Sequence, residues 1–338
     1  MASKPKKPVE QPKPLETYGC RMLGFDQTWY NQRAFAAKTP IDKGAPTRDV
    51  LFWKLADEFV PNYFEKHDWT LKVVNTLLEY KWIGVAGCSG SAKTRNIVGA
   101  ACVWWMSAPL DSSVLLCSTT AKALRKRGWA EVQRYFSSIP SRPGNFVDSR
   151  MLWQSKKGDD KHAISGIAVE EGQMLKVADN IKGWHTRRQM VIIDEATAVP
   201  PAIFEACSNL YGTPQEFILV MIGNPRTRLD EFGKFCEPVG GWDSVSVDDE
   251  EWETTPKMDG VNGICIRFDA EKSPNILNPL PDGKLISKYL PTKERVAMAK
   301  QRAGSENSPS YWSNERGFWA PEGLNKNVFS ETGFIAGE

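Results

Sequence analysis

The feature that most constrains this chain is a glycine-rich turn, Gly87-Cys88-Ser89-Gly90-Ser91-Ala92-Lys93-Thr94, set directly behind the apolar run Trp82-Ile83-Gly84-Val85-Ala86. The run reads as a buried strand, and the residues after the turn (Ile97, Val98, Ala101, Val103, Trp104) read as a helix that is apolar on most sides. A tight Gly/Ser turn at a helix N-terminus points backbone N–H groups at one spot, where the helix dipole adds positive potential. That is an anion nest. In such a loop Lys93 reaches the β- and γ-phosphates of a nucleotide and the Thr94 hydroxyl ligates magnesium. The pattern has Ala92 where glycine is usual; a position already entering the helix can accept the methyl group. The bland alternative is a Gly/Ser loop that only caps a helix.

What lifts the turn above that alternative is a second apolar run that ends in two acids, Met190-Val191-Ile192-Ile193-Asp194-Glu195. Adjacent acids at the end of a buried strand are costly unless a cation or donors satisfy them. Asp194 is placed to hold magnesium, and Glu195 to polarise the water that attacks a γ-phosphate. Solvated acids at a surface strand end are the alternative. A third run, Phe217 to Ile222, ends in Gly223-Asn224-Pro225-Arg226. The Asn224 amide could contact phosphate or orient water, although an Asn-Pro turn needs the same residues. Arginines that could neutralise γ-phosphate charge are Arg95, Arg125, Arg127 and Arg226, although each taken alone reads more readily as solvated surface. The combination implies Mg2+-dependent ATP hydrolysis.

Between these motifs the pattern alternates. Helices are expected from near Asp49 through Phe59 and over 69–80, then a strand at 82–87 and a helix at 92–107. A strand at 113–118 leads to a helix capped by Thr119-Thr120. Short strands are expected at 165–170 and 174–178, then the acid-tipped strand at 189–194, a helix opened by Pro200-Pro201, and the strand at 217–222. Continuous apolar strands alternating with helices imply an α/β fold of the RecA-like P-loop ATPase type, a mainly parallel central sheet covered by helices on both faces. The expected division is a Lys/Pro-rich disordered tail at 1–14, a helical extension at 15–80, the P-loop ATPase core at 81–238, and an extension at 239–338. In the last, Asp248–Glu253 reads as an acidic loop, 263–268 as a possible edge strand and 285–315 as helical.

Composition narrows the partners. The chain has 43 Lys+Arg against 41 Asp+Glu; without the first thirteen residues 39 basic face 40 acidic residues. Any grip on nucleic acid is therefore a local patch. Arg125-Lys126-Arg127 and Lys182 with Arg187-Arg188 are the candidates, against ordinary polar faces. The seven cysteines form no CxxC pairs and the three histidines no cluster, which speaks against zinc and for a reducing compartment. Trp104, Trp105 and Trp129 read as core. No stretch is long and apolar enough to span a membrane.

The run Ile181-Lys182-Gly183-Trp184-His185, the run Met190 to Ala196, Val199-Pro200 with Ile203-Phe204-Glu205-Ala206, and Ile222-Gly223-Asn224-Pro225 together resemble the large subunit of phage terminases. Ser273-Pro274-Asn275 and Glu315-Arg316-Gly317-Phe318-Trp319 extend the likeness, which covers roughly residues 65–330. The resemblance implies a motor that docks on the portal protein of a procapsid in the infected bacterial cytoplasm. Such a motor pumps double-stranded DNA inward, as a homo-oligomeric ring served by a terminase small subunit. It implies Lys93 and Thr94 as the Walker A residues, Asp194 and Glu195 as the Walker B and catalytic residues, and Asn224 as the coupling residue. Family members often carry an arginine inside the phosphate loop; here Cys88, Ser89 and Ser91 stand in those positions, and a neighbouring subunit could supply the arginine. An RNase H-like nuclease domain usually follows. Asn327-Val328-Phe329 would approach it and the sequence stops at Glu338, so no cutting activity is expected of this polypeptide. A helicase-like translocase and a nucleotide-gated assembly protein with little turnover are the competing readings.

Overall fold

The computed structural model describes residues 47–168, 186–212 and 214–321. The expected tail at 1–14, the strand at 174–178, the run 181–185 and residues 327–329 lie outside them.

Two helices, α1 (Arg48–Phe59) and α2 (Asp68–Glu79), precede the central strand β1 (Trp82–Gly87). The His67 ring accepts from the Thr70 N–H and caps α2. Helix α3 (Lys93–Met106) follows the glycine-rich turn, and β2 (Ser112–Ser118) follows it. The Thr120 hydroxyl accepts from the Ala123 N–H at 3.0 Å and starts a helix, as its residue type requires. That helix breaks at Arg127 into α4 (Ala121–Lys126) and α5 (Gly128–Ser138). Next come the short strands β3 (Asn145–Val147) and β4 (Leu152–Gln154), then β5 (Ala163–Ala168) and β6 (Arg188–Asp194). Helix α6 (Pro201–Ser208), strand β7 (Glu216–Gly223) and helix α7 (Glu231–Cys236) lead to β8 (Glu251–Pro256) and β9 (Asn262–Phe268). Two further helices, α8 (Pro274–Leu277) and α9 (Lys293–Ala303), precede a closing turn over Pro309–Tyr311 and Trp312–Arg316.

The described strands form one sheet in the order β3-β4-β5-β2-β6-β7-β1-β9-β8. Its middle, from β5 to β9, is parallel, and antiparallel strands flank it at both ends. Both faces are covered, and the alternation of side chains along each strand assigns the layers. Met190 and Ile192 point into a core shared with α1, α2, α3 and α5, while Val191 and Ile193 point into a second core under α6, α7 and the aromatic cluster Trp252, Phe318 and Trp319. Trp104, Trp105 and Trp129 are buried in the first core, as their helical spacing implied.

Several expectations change. The sheet takes two strands from beyond residue 238, where the core was expected to end. Residues 263–268 are not an edge: β9 lies between β1 and β8. The second half of the expected acidic loop, from Glu251, is strand β8, whose side chains alternate between solvent and the buried Trp252 and Thr254. Strands β3 and β4 gave no periodic signal because three residues are too few to show one. Of 285–315, helix covers 293–303 and the closing turn; the stretch before is irregular.

A buried ion pair pins the register that matters for the site. Arg188 at the start of β6 stands opposite Glu216 at the start of β7, and its Nε donates to the Glu216 carboxylate at 2.9 Å. Arg188 also donates to the Trp104 carbonyl and the Ser107 and Ser112 hydroxyls and stacks on the Trp104 ring at 4.1 Å. With this end fixed, Asp194 falls level with Ile222 at the other. Replacing Glu216 by Ala leaves a buried guanidinium without its carboxylate, and the expected loss is about 3–5 kcal/mol in urea unfolding; a loss under about 1 kcal/mol would show that the neutral acceptors alone hold Arg188.

Candidate functional site

The carboxyl ends of β1, β6 and β7 lie side by side, and the chain leaves each by a turn at the same end of the sheet. Together they form a cleft of about 410 Å³ lined by Ser89, Gly90, Lys93 and Thr94 from the glycine-rich turn, Asp194 and Glu195 from the tip of β6, and Asn224 and Arg226 beyond β7. The three sequence motifs therefore meet in one place. A smaller pocket of about 140 Å³, bounded by Arg48, Lys81 and Glu216, sits at the amino ends of the strands. Its charges are engaged in the ion pairs of Arg48 and Lys81 with Glu216 and Asp259. The cleft at the carboxyl ends is the stronger candidate on chemistry, because open loops at strand ends are where α/β sheets bind ligands.

Lys93 is buried and curls back over its own loop. Its ammonium donates to the Gly87 and Cys88 carbonyls at 3.0 and 2.8 Å and to the Asn224 side-chain oxygen at 3.0 Å. The Asn224 amide in turn donates to the Ser89 hydroxyl at 3.0 Å. Burial lowers the Lys93 pKa to about 8, with the Cys88 thiol and Asp194 pulling it back up. Cys88 is itself buried, and burial pushes its thiol to about 12, so it is an inert part of the wall. Ser91 donates its hydroxyl to the Cys88 carbonyl. Among the described residues the amides of Gly90, Ser91 and Ala92 pair with no backbone carbonyl, which leaves them for an anion.

Asp194 is buried, and burial raises its carboxyl above the usual range, partly countered by Arg127, Lys93 and the Thr94 hydroxyl. Thr94 Oγ1 lies 3.4 Å from Asp194 Oδ1. Asp194 Oδ2 is buried with no hydrogen-bond partner among the described groups. A buried carboxylate oxygen without a donor, next to a threonine hydroxyl, is an oxygen set that fits a hard cation such as Mg2+ sharing its other positions with phosphate and water. Glu195 is one-third exposed and forms an ion pair with Arg127 at the α4–α5 break.

Ala92 differs from its expected role. It has φ +57° and ψ +17°, a left-handed conformation just before α3, and has not entered the helix. The usual glycine has a physical reason here: an L side chain in this region crowds its own carbonyl. Of the other arginines, Arg95 stacks between the Tyr63 and Tyr289 rings and donates to the Tyr63 carbonyl, and Arg125 donates to the Asp148 and Ser149 carbonyls.

Sequence reasoning missed the far side of the loop. The Cys88 and Ser89 amides are taken by the Phe268 and Asn314 carbonyls at 2.8 and 2.7 Å, and Arg295 of α9 donates to the Ser89 carbonyl. Gly317, with φ +57°, packs so closely on Gly87 that a Cβ would lie 2.6 Å from the Gly87 Cα. No local pattern marks Arg295 or Asn314. Only Gly317, inside the run Glu315 to Trp319, stood in a segment the sequence had singled out.

No protein-family model matches the sequence, and neither does any curated protein. Two solved structures of the large terminase from a thermophilic bacteriophage share its fold. One has 16% identity and a TM-score of 0.52 over 78% of this chain and 56% of that one. The other, in complex with ADP, has 15% identity and a TM-score of 0.52 over 79% and 57%. The fold is thus the RecA-like α/β fold of these large terminases, and this chain spans little more than half their length.

Replacing Ala92 by Gly is expected to relieve the left-handed strain and raise stability by up to about 1 kcal/mol despite glycine's extra freedom in the unfolded chain. Thermal unfolding of the two proteins reads the sign; a lower midpoint for Ala92→Gly would mean that the loop does not hold this conformation.

Proposed function

We propose that this chain is the ATP-hydrolysing motor part of a terminase large subunit, moving double-stranded DNA into a procapsid in the infected bacterial cytoplasm. The observation that carries the reading is the meeting of Lys93, Thr94, Asp194, Glu195 and Asn224 in one cleft behind the free amides of the glycine-rich turn. The fold shared with phage large terminases and the motif order described above support it. In this reading the P-loop ATPase core begins at residue 81 and runs past 238 to include β8 and β9 of the same sheet. It is braced by helices before residue 80, and the segment after it leads towards a nuclease domain.

The geometry supports the following roles. The triphosphate replaces the Gly87 and Cys88 carbonyls as the partner of Lys93, whose charge suits it better. Gly90, Ser91 and Ala92 present amides to the phosphates, with Gly87, Cys88 and Ser89 forming the turn that aims them. Thr94 and Asp194 would hold Mg2+, which when bound would screen the phosphate charge. Glu195 accepts a proton from the attacking water as the γ-phosphate leaves ADP. Asn224, hydrogen-bonded to both Lys93 and Ser89, feels which partner Lys93 has. Portal protein, small subunit and a ring of identical chains are the partners this function implies. Among the described residues no helix is long and apolar enough to cross a membrane.

One observation favours a second reading. Glu195 is engaged by Arg127, as a nucleotide-gated assembly protein with little turnover would have it. Steady-state Mg2+-dependent ATP hydrolysis decides. Wild type should turn over, faster with linear duplex DNA; Glu195→Gln should bind ATP and lose on the order of 100-fold or more in rate. Lys93→Ala should weaken nucleotide binding itself. A wild-type protein that binds ATP but never hydrolyses it would leave the gated-assembly reading standing.

The lowered Lys93 pKa sets a pH dependence. The free protein loses the Lys93 proton as pH rises through about 8, whereas the phosphate-bound lysine keeps it. Binding above that pH therefore requires proton uptake, and ATP affinity should be flat below about 8 and fall up to about tenfold per pH unit above it. Calorimetric titration in buffers of different ionisation heat measures the uptake directly; no proton uptake about one unit above that pKa would contradict the assignment of Lys93.

A further inference from the structure

We infer that Arg127 is the intrachain arginine of this phosphate site: before nucleotide binds it holds Glu195, and an arriving γ-phosphate takes it away, freeing the glutamate for water. The inference rests on the proposed ATP site. The loop carries no arginine of its own, so the γ-phosphate's charge needs one from elsewhere. Arg95 and Arg125 are held by the Tyr63, Asp148 and Ser149 carbonyls, and Arg295 donates to the Ser89 carbonyl on the loop's far side. Arg127 and Arg226 both reach the cleft, but Arg127 alone of the two is paired with the acid expected to activate water.

The position of Arg127 is built, not incidental. It is the residue at which one helix stops and the next begins, with backbone angles φ −118° and ψ −88° that belong to neither. The next residue, Gly128, packs on β2 so tightly that a Cβ would lie 2.6 Å from the Leu116 side chain. The break therefore sits flat against the sheet at the end where the cleft opens. About half of the Arg127 side chain remains exposed, so the guanidinium can change partner without unfolding anything.

The exchange runs downhill. A half-exposed arginine–carboxylate pair is weak, because water and salt screen it and two side chains are immobilised. An arginine on a phosphate gains charge-assisted, often bidentate hydrogen bonds to a group of higher charge. ATP thus removes the cap from Glu195 only by placing its γ-phosphate, and ADP, lacking that group, leaves the cap in place. One ion pair then both withholds the base from an empty site and reports which nucleotide is bound.

Binding of ADP and of a non-hydrolysable ATP analogue to Arg127→Ala, Glu195→Ala, Arg226→Ala and the Arg127→Ala/Glu195→Ala double variant tests this. Arg127→Ala should bind the ATP analogue about tenfold or more weakly and ADP within about twofold. Glu195→Ala should tighten the analogue by up to about fivefold, and that gain should vanish in the double variant. Equal losses for both nucleotides, an ATP-selective loss in Arg226→Ala in place of Arg127→Ala, or a gain that persists in the double variant would each overturn the inference. A wild-type protein that binds neither nucleotide would instead bring down the ATP site itself.

Discussion

The structure depends on the register of three parallel strands. In a parallel pair the residues at the same end of neighbouring strands are brought together whatever their distance in sequence. The loop after β1, the acids at the tip of β6 and the amide beyond β7 come from stretches far apart along the chain, yet a shift of one residue would turn Asp194 from one face of the sheet to the other. The Arg188–Glu216 pair at the opposite end excludes that slip, because a shifted strand would bury both charges unpaired. Two groups of charge bear on this register: a neutralised pair where the strands begin, and the Lys93, Asp194 and Glu195 group where they end.

The group at the cleft has an internal logic. The Lys93 ammonium has found substitute partners in two backbone carbonyls and Asn224, Glu195 has found Arg127, and of these groups Asp194 Oδ2 has found none among the described residues. In the proposed function each substitute is a weaker version of a contact that a nucleotide and its cation would offer. These contacts are ones that such a ligand would displace at little cost, and they are coupled, since Asn224 bonds both Lys93 and the Ser89 hydroxyl of the loop.

Much of this was legible in the sequence where burial is complete. The strands β1, β2, β6 and β7 are apolar on both faces, so their signal is a plain run, and Gly87 to Thr94, Asp194, Glu195 and Asn224 stand at their ends. The sequence was silent where structure depends on distant partners. Strand β9 looked like an edge because its neighbour β8 alternates acids with buried residues and resembles a loop. Ala92 was assigned to the helix because nothing in the one-dimensional pattern records the sign of a backbone angle. Arg295 and Asn314 act through contacts across the fold, one by its side chain and one by its carbonyl, and a backbone carbonyl has no sequence signature at all. The pairing of Arg127 with Glu195 was beyond reach for the same reason, although Arg127 was among the candidates.

The two ends of the sheet carry a further consequence. At one end β3 is only three residues long; at the other β8 turns Glu251 and Glu253 to solvent and breaks its register between Thr254 and Pro256. A short strand offers little to dock on, and charge with a proline removes the regular row of donors and acceptors that another strand would need. The sheet formed by the described strands is therefore poorly suited to growth in either direction. Among the described residues neither edge strand offers a second copy a regular row to extend, so the surfaces they leave for assembly are the helices and the loops around the cleft.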